Sequence, residues 1–538
     1  MAFEEYYEEF ADDKHQFFAN VRSFADAEER AQTHHYGFLA SNEKLIRKEY
    51  ELLFERLKKD EINREIFWFY CYYCCIMLQN FHRAYGQDGK ADEFLKLRLE
   101  IKKRLQKRGD TKPSEPTKLK KDKASEDSFF DYLGKTISKN LIELLTAPTK
   151  VSKIRDLVST GNIYRIYWFF CRTSITKSFL LARDLELLDR LGSIFGRKID
   201  ADRIVDILET PNATLKVLSV GFFAFRFILN AAMLIKHTYG SKAERSDKDY
   251  DWWMRLKSEL YKRHPVMIND VVWGSVNFIT NYNSLVGIPD PVTGWIVVGF
   301  LFFDFCWFIY QRHLAQNEYR TKKSQLERDL AFYLRELQNE DLDDEKRKEY
   351  AQHCQLLKKQ IDQLDIGWQA LSSEFWFNSA AAMLLAVGFS ASMIFTAPAM
   401  VIACYAICTF AVAMYLSAGA YKKYQEKSLQ LEYANIHKSE ITQEELAAAT
   451  QAYVQARNEF IITMAKNVLM PTLFIVTYAI CWEAALVLTA AYIGYQLYSA
   501  YTKHLEENAK GETVDSNIEM EDAPAESQSL LLGTGSSL

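Results

Sequence analysis

Hydrophobic and polar positions are segregated along the 538-residue chain rather than interleaved. Apolar runs approaching the roughly twenty residues a helix needs to cross a bilayer fall between residues 215 and 501. Charged stretches lie before, between and after them. Runs of this length with so few breakers predict an all-α fold. The expected architecture is a polytopic helical membrane protein with an N-terminal helical domain and coiled-coil hairpins.

Residues 1–107 form an N-terminal helical region, with apolar positions at Leu45, Tyr50, Leu53 and Leu57. Its aromatic run 66–78 is thirteen residues long, short for a span, and predicts a buried core helix. Residues 108–128 are a polar, basic, Pro-containing linker, and 129–210 form a second helical region. The run Ile166-Tyr-Trp-Phe-Phe-Cys171 echoes Ile66-Phe-Trp-Phe-Tyr-Cys71, as a duplicated helix or as two unrelated aromatic helices.

Membrane segments at 215–235, 266–285 and 292–310 make up the block 215–310. The turn Gly287-Ile-Pro-Asp-Pro291 joins the last two as a helical hairpin. Residues 311–374 predict a coiled-coil hairpin that turns at 339–344. One stalk carries Leu326, Leu330, Tyr333 and Leu337. The other carries Leu357, Ile361, Leu364, Trp368 and Leu371 at alternating three- and four-residue spacing. Residues 375–420 form a membrane hairpin bent at Ala397-Pro398. Residues 421–467 form a soluble helical hairpin whose second helix opens on a capping box, Thr442-Gln-Glu-Glu445. In 468–501, Glu483 divides a tight hairpin or one long tilted helix. The tail 505–538 has eight acids, a single lysine and no periodicity, and should be disordered.

The averages conceal this organisation: net charge is −5 and mean hydropathy −0.21. The nine cysteines show no disulfide framework and are expected as buried thiols. Cys71-Tyr-Tyr-Cys74 has zinc half-site spacing, but no second pair stands nearby. The acidic N-terminus lacks the basic and apolar regions of a secretory signal. No phosphate loop, dinucleotide fingerprint, zincin motif or nucleophile elbow occurs. The expectation is a non-enzymatic protein without cofactor or metal. Nucleic acid is not an expected partner either, because the lysines at 118–123 are flanked by acids.

Charge placement constrains topology. Residues 236–263, 311–374 and 421–466 are rich in Lys and Arg, so all three prefer the cytosolic side. That requires apolar runs to come in pairs between them. The run 215–235 does not fit, and is expected to be re-entrant or buried with Arg226 inward.

Polar groups inside apolar runs are the candidate site residues: Arg226, Asn230, Asn269, Asp270, Asn277, Asn281, Asp304 and Glu483. With Trp273, the asparagines of 269–281 recur every four residues as one slowly drifting stripe. They form either a proton or ion path, or a structural set in which Arg226 pairs with Asp270 or Asp304 and the asparagines bond between helices. The leading functional expectation is a membrane-anchored interaction or tethering protein, its partners the lipid bilayer and proteins captured by the coiled-coil hairpins. The alternative is a channel or transporter using the intramembrane charges.

The tail holds Glu526-Ser-Gln-Ser-Leu530-Leu531, the acidic dileucine pattern read by clathrin adaptors. Its acids Glu519, Glu521, Asp522 and Glu526, followed by the apolar and small residues 530–538, resemble the translocation signal of Dot/Icm type IV secretion substrates. The whole layout resembles the Legionella-type effectors that combine coiled coils with membrane hairpins. That resemblance implies delivery into a host cell, insertion into a host organelle membrane and interference with vesicle traffic; it carries over no catalytic residues. On the charge-derived topology, protease added to the cytosolic face should cut within all three basic segments. Protection of 311–374 would overturn that topology.

Overall fold

The structure is a computed structural model describing residues 4–34, 36–58, 65–84, 88–109, 151–195, 200–240, 252–339, 342–437 and 442–480. Every secondary-structure element among them is a helix. In chain order these are α1 Glu4–Asn20, α2 Phe24–Gln32, α3 Tyr36–Lys58, α4 Glu65–Ala84, α5 Asp88–Gly109, α6 Val151–Asp184, α7 Leu187–Phe195 and α8 Ala201–Glu209. They continue with α9 Asn212–Tyr239, α10 Trp252–Asn281, α11 Asn283–Val286, α12 Asp290–Glu336, α13 Asp344–Ile394, α14 Pro398–Ile436 and α15 Gln443–Ile480. The linker beyond Gly109, Glu483 with residues 481–501, and the tail with Glu526, Leu530 and Leu531 lie outside the described residues.

Five helices are long and apolar enough to cross a membrane: Ala201–Tyr239, Pro291–Glu336, Lys346–Ile394, Pro398–Ile436 and Gln443–Thr477. The expected segment 266–285 is divided, residues 266–281 lying in α10 and 283–285 in α11, and α10 is not among them because Asn269, Asp270, Asn277 and Asn281 dilute its hydropathy. α12 and α13 have 47 and 51 residues, so each is roughly 70–75 Å long at about 1.5 Å per residue. The chain divides into two compact units.

The first unit comprises Met1–Lys121, Ala232–Arg263 and His313–Gln369. Its centre is α4, where every residue from Phe67 to Leu78 is buried. The run is uninterrupted by Gly or Pro, with Glu65 in its first turn and His82 and Arg83 in its last, as the helix dipole prefers. The heptad residues Leu326, Tyr333 and Leu357 are buried in the same core as Phe17, Tyr50 and Trp68. Leu330, Leu337, Ile361 and Leu364 pack against that core, and Trp368 stacks on Tyr319 at 5.1 Å. The heptad face expected from the sequence is therefore present. What covers it includes the N-terminal helices, whereas the sequence pointed to a self-contained coiled coil. A 3.5-residue repeat reveals that one face is apolar but not which element occupies it.

An ionic cluster lies inside this core. The Lys14 ammonium donates to Glu49 at 2.8 Å and to Asp329 at 2.9 Å, with all three side chains no more than 6% exposed. His15 also bonds Asp329, and the Tyr70 hydroxyl donates to Glu49. Burial opposes the charge on Lys14, but attraction to Asp329 and Glu49 overcomes it and raises its pKa. Burial would likewise raise the Asp329 carboxyl, yet Lys14 and His15 hold it well below the carboxylate range. His353 stacks on Phe67 and meets Phe18 and Tyr333 edge-on or tilted. Burial, then Lys14, push its pKa well below that of a free histidine.

The second unit comprises Asp122–Ala231, His264–Arg312 and Ala370–Leu538. α13 and α14 meet where Cys408 lies against Leu385 and Gly388, and small residues of both helices, Ala381, Ala382, Ala386, Ala411 and Ala413, are buried. Gly388 sits at the closest approach: a Cβ there would stand 3.2 Å from the Cys404 carbonyl oxygen and 3.0 Å from the Cys408 sulfur. Apolar side chains are exposed on the outside of these helices, including Val387 and Phe410, and on α9, including Phe225 and Ile228. At the turn expected before α12, Gly287 takes a left-handed φ of 72°, a conformation a Cβ would strain, and its N–H donates to the Asn283 carbonyl. The capping box also forms: the Glu445 N–H donates to the Thr442 hydroxyl at 3.2 Å, and the Thr442 N–H to the Glu445 carboxylate at 3.0 Å.

These titrations set a pH dependence for the first unit. The unfolded chain protonates His353 below about pH 6.5 while the fold keeps it neutral, so stability falls by up to about 1.4 kcal/mol per pH unit below that point. Asp13 and Asp329 have depressed folded pKa values. Their contribution is complete above about pH 4 and disappears only as pH falls further. His353→Phe should flatten the limb between pH 6.5 and 5 and leave the more acid limb. Hydrogen exchange of α3 and α4 in the full chain measures both, and an unchanged upper limb would refute the role of His353.

Candidate functional site

The intramembrane polar residues expected from the sequence converge in the second unit. α9 presents Arg226 every side of which is enclosed: the residue is 2% exposed, and Asp270 on α10 is equally buried. The two form an ion pair, with the guanidinium Nε donating to the Asp270 carboxylate at 2.6 Å. A second guanidinium nitrogen donates to the Ser159 hydroxyl on α6 at 3.0 Å. The Phe223 ring lies 5.5 Å from the same guanidinium, completing a sheath of partners for one charge. Gly274 on α10 lies beside Phe223, where a Cβ would stand 3.5 Å from the Phe223 Cβ, an ordinary packing distance.

The stripe on α10 behaves in two ways. Asn281 reaches across to the Ser219 hydroxyl on α9 at 2.7 Å, so it joins helices as expected. Asn277 instead donates to the Trp273 carbonyl of its own helix at 2.8 Å, and Asn230 to the Arg226 carbonyl at 3.0 Å. Asn269 is fully buried. Asp304 on α12 accepts from the Trp273 indole N–H at 2.8 Å and is 3% exposed. Of the two partners considered for Arg226, the structure selects Asp270, and Asp304 is held by Trp273. Arg226, Asp270, Asn281, Trp273 and Asp304 are thus brought together by α9, α10 and α12.

Sequence reasoning missed the contribution of α6. Ser159, the third partner of Arg226, lies in a helix with five Arg or Lys residues between Arg155 and Arg183, which kept it off any list of membrane segments. It also missed the Lys14 cluster, whose members come from four separated stretches of an ordinary-looking helical pattern. The only signals for that cluster were a Lys and a Glu on otherwise apolar faces. His34 bonds the Tyr73 hydroxyl at 2.5 Å and stacks on Phe38. Among the described residues no group of three or more His, Cys, Asp or Glu side chains could hold a metal ion. Cys71, Cys74 and Cys75 are buried free thiols.

At one end of these helices aromatic and charged groups collect. Arg312 lies 5.2 Å from the Trp376 ring and donates to the Ser372 hydroxyl at 2.9 Å. Lys422 reaches Glu374 at 3.4 Å, and Phe377 stacks on Tyr421. This is the composition of a water–lipid boundary. The opposite ends carry the bare bends at Gly287 and Ala397. No family model, curated protein or solved structure matches the chain.

Chemically, the arrangement stores one neutralised charge pair at depth and one carboxyl held by an indole. Asp270→Asn leaves the Arg226 guanidinium without its carboxylate and should cost about 3–5 kcal/mol. Arg226→Met combined with Asp270→Leu should recover most of that loss. Thermal unfolding in detergent measures both; a double variant as unstable as the single one would show that the pair has a role beyond mutual neutralisation.

Proposed function

We propose that the chain is a membrane-anchored interaction protein that holds a cytosolic helical unit against the bilayer. The observation that carries this reading is the make-up of the first unit. Met1–Lys121, Ala232–Arg263 and His313–Gln369 belong to one compact body, although apolar helices separate them in sequence. Lys14 of α1 bonds Asp329 of α12, and Lys262 of α10 lies 5.9 Å from the Phe81 ring of α4. A compact body lies on one side of a membrane, so the helices between its parts cross in pairs. The positive charge of 236–263 and 311–374 makes that side cytosolic.

The occupied heptad seam moves the expected partner surface. Partners meet the outward face of the 311–374 hairpin, where Glu327, Arg335, Lys346, Lys348 and Lys358 are exposed. Deleting this hairpin would remove part of the core and report on folding instead of capture. The sharper variant reverses Lys346, Lys348 and Lys358 to Glu. Proximity labelling from the hairpin in a eukaryotic cell should then lose specific neighbours while membrane insertion and α3–α4 exchange protection are unchanged. An unaltered neighbour set would count against this surface.

A second reading, ion or proton transport, draws on Asp304, a carboxyl inside an apolar run whose bond to Trp273 is not an ion pair. Purified protein in sealed vesicles distinguishes the readings. Flux that disappears in Asp304→Asn, with insertion intact, favours transport; absence of flux in the parent favours the anchored interaction protein.

A further inference from the structure

The second unit contains a helix that hydropathy passes over. α6 carries Arg155, Arg165, Arg172, Lys177 and Arg183 and is not among the helices apolar enough to span. Yet its partners are the spans themselves. Ser159 meets Arg226 of α9 at 3.0 Å. The Tyr167 hydroxyl donates to the Val468 carbonyl of α15 at 2.8 Å, and it lies 2.9 Å from the Thr472 hydroxyl. Phe170 meets Phe389 of α13 and Tyr405 of α14 at ring distances of 6.0 and 6.3 Å. The Ser174 hydroxyl donates to the Ile402 carbonyl at 3.4 Å.

These contacts have a direction. Along α6 they approach Ile402, close to the bend between α13 and α14 at Ala397. α9 runs the other way. Its Ser219 is bonded to Asn281, beside the bend at Gly287, and its Arg226 lies further from that bend, against Asp270. So α6 travels toward the bent ends of the bundle, and α9 starts there and returns.

We propose that α6 crosses the bilayer as the partner of α9, leaving α7 and α8 as a two-helix cap on the far leaflet. The proposal rests on the reading that α13 and α14 insert from the cytosolic side. With 34 residues, α6 is about 50 Å long, against a hydrocarbon core of about 30 Å. A helix enclosed by other helices need not be apolar all round. Arg165 is buried and donates to Asn162 at 3.0 Å, and Arg172 lies 3.9 Å from Glu209 of α8. The exposed large side chains in its middle, Tyr164 and Phe169, are ones that lipid accepts.

The cap fits a lipid surface. α8 buries Ala201, Ile204 and Leu208 and is capped by Asp200, which accepts from the N–H groups of Asp202 and Arg203. Leu185 and Leu187, at its approach, are 55% and 43% exposed. Six Lys or Arg between residues 177 and 209 run against the charge rule. Seven acids in the same stretch balance them, and Arg183 pairs with Asp202 at 2.6 Å. The gain is parity: α9 acquires a partner crossing, and residues 236–263 stay on the side of the first unit.

Single cysteines at Lys348, Ala397 and Ser193, all exposed positions, test the arrangement in the full chain. Sealed vesicles with the cytosolic face outward are treated with a membrane-impermeant maleimide, and labelling is read above the native-cysteine background. Lys348→Cys should label at once. Ala397→Cys and Ser193→Cys should rise from background to the Lys348→Cys level only after permeabilisation. Direct labelling of Ser193→Cys with Ala397→Cys protected overturns the α6 crossing and leaves the anchored reading standing. Direct labelling of Ala397→Cys overturns both. An epitope inserted after Phe195, probed with antibody in the same vesicles, decides the case if Ser193→Cys does not fold.

Discussion

The constraint on which the rest depends is the cost of moving charge through hydrocarbon. Each Lys or Arg left at depth needs a partner, and each charged segment carried across needs a return path. The chain meets the first demand locally: Arg226 has Asp270, Ser159 and the Phe223 ring around it. It meets the second globally, by building one compact unit from stretches that apolar helices separate. Sequence order and spatial order diverge for that reason. The first unit is made of three stretches separated in sequence, and no one of them contains its whole core.

This explains which features were legible in the sequence. The small-residue contact of α13 and α14, the turn at Gly287, the Thr442 capping box and the burial of residues 67–78 all depend on short-range patterns, and each is present. The pairing of Arg226 with Asp270 was one of two options because both acids lie on neighbouring apolar runs. The choice turned on helix register: Asp270 faces α9, whereas the Trp273 indole engages Asp304. The cover on the heptad seam was not legible. Leu326, Tyr333 and Leu357 look the same in sequence whether a second stalk or α4 lies over them. Nor was the echo between 66–71 and 166–171 informative. The first copy lies in the core of the first unit, while Tyr167, Phe170 and Cys171 meet Thr472, Phe389 and Tyr405 in the second.

The ionic cluster at Lys14 bears on how the first unit is held together. Removing a lysine and two carboxylates from water is costly, and an apolar core of the same shape would serve stability as well or better. What the cluster does supply is specificity. Asp329 satisfies Lys14 and His15 at once, so α12 can dock on α1 in one register only. A seven-residue slip of α12 along the heptad would preserve the apolar spacing but strand Asp329 and take one partner each from Lys14 and His15. The polar core therefore fixes where a long stalk sits, a task the repeating leucines cannot perform.

The same logic separates the two functional readings. A transport path needs polar groups that exchange partners through a cycle, with water or a substrate replacing them in turn. Arg226 already engages a carboxylate, a hydroxyl and a ring, and Asn277 and Asn230 are spent on carbonyls of their own helices. Such saturation favours a fixed joint between α6, α9 and α10 over a moving gate. A fixed joint of these three helices is what the proposed anchor would require. The buried ion pair on this view belongs to the same mechanical problem as the Lys14 cluster: each pins helices that apolar contacts alone would let slide.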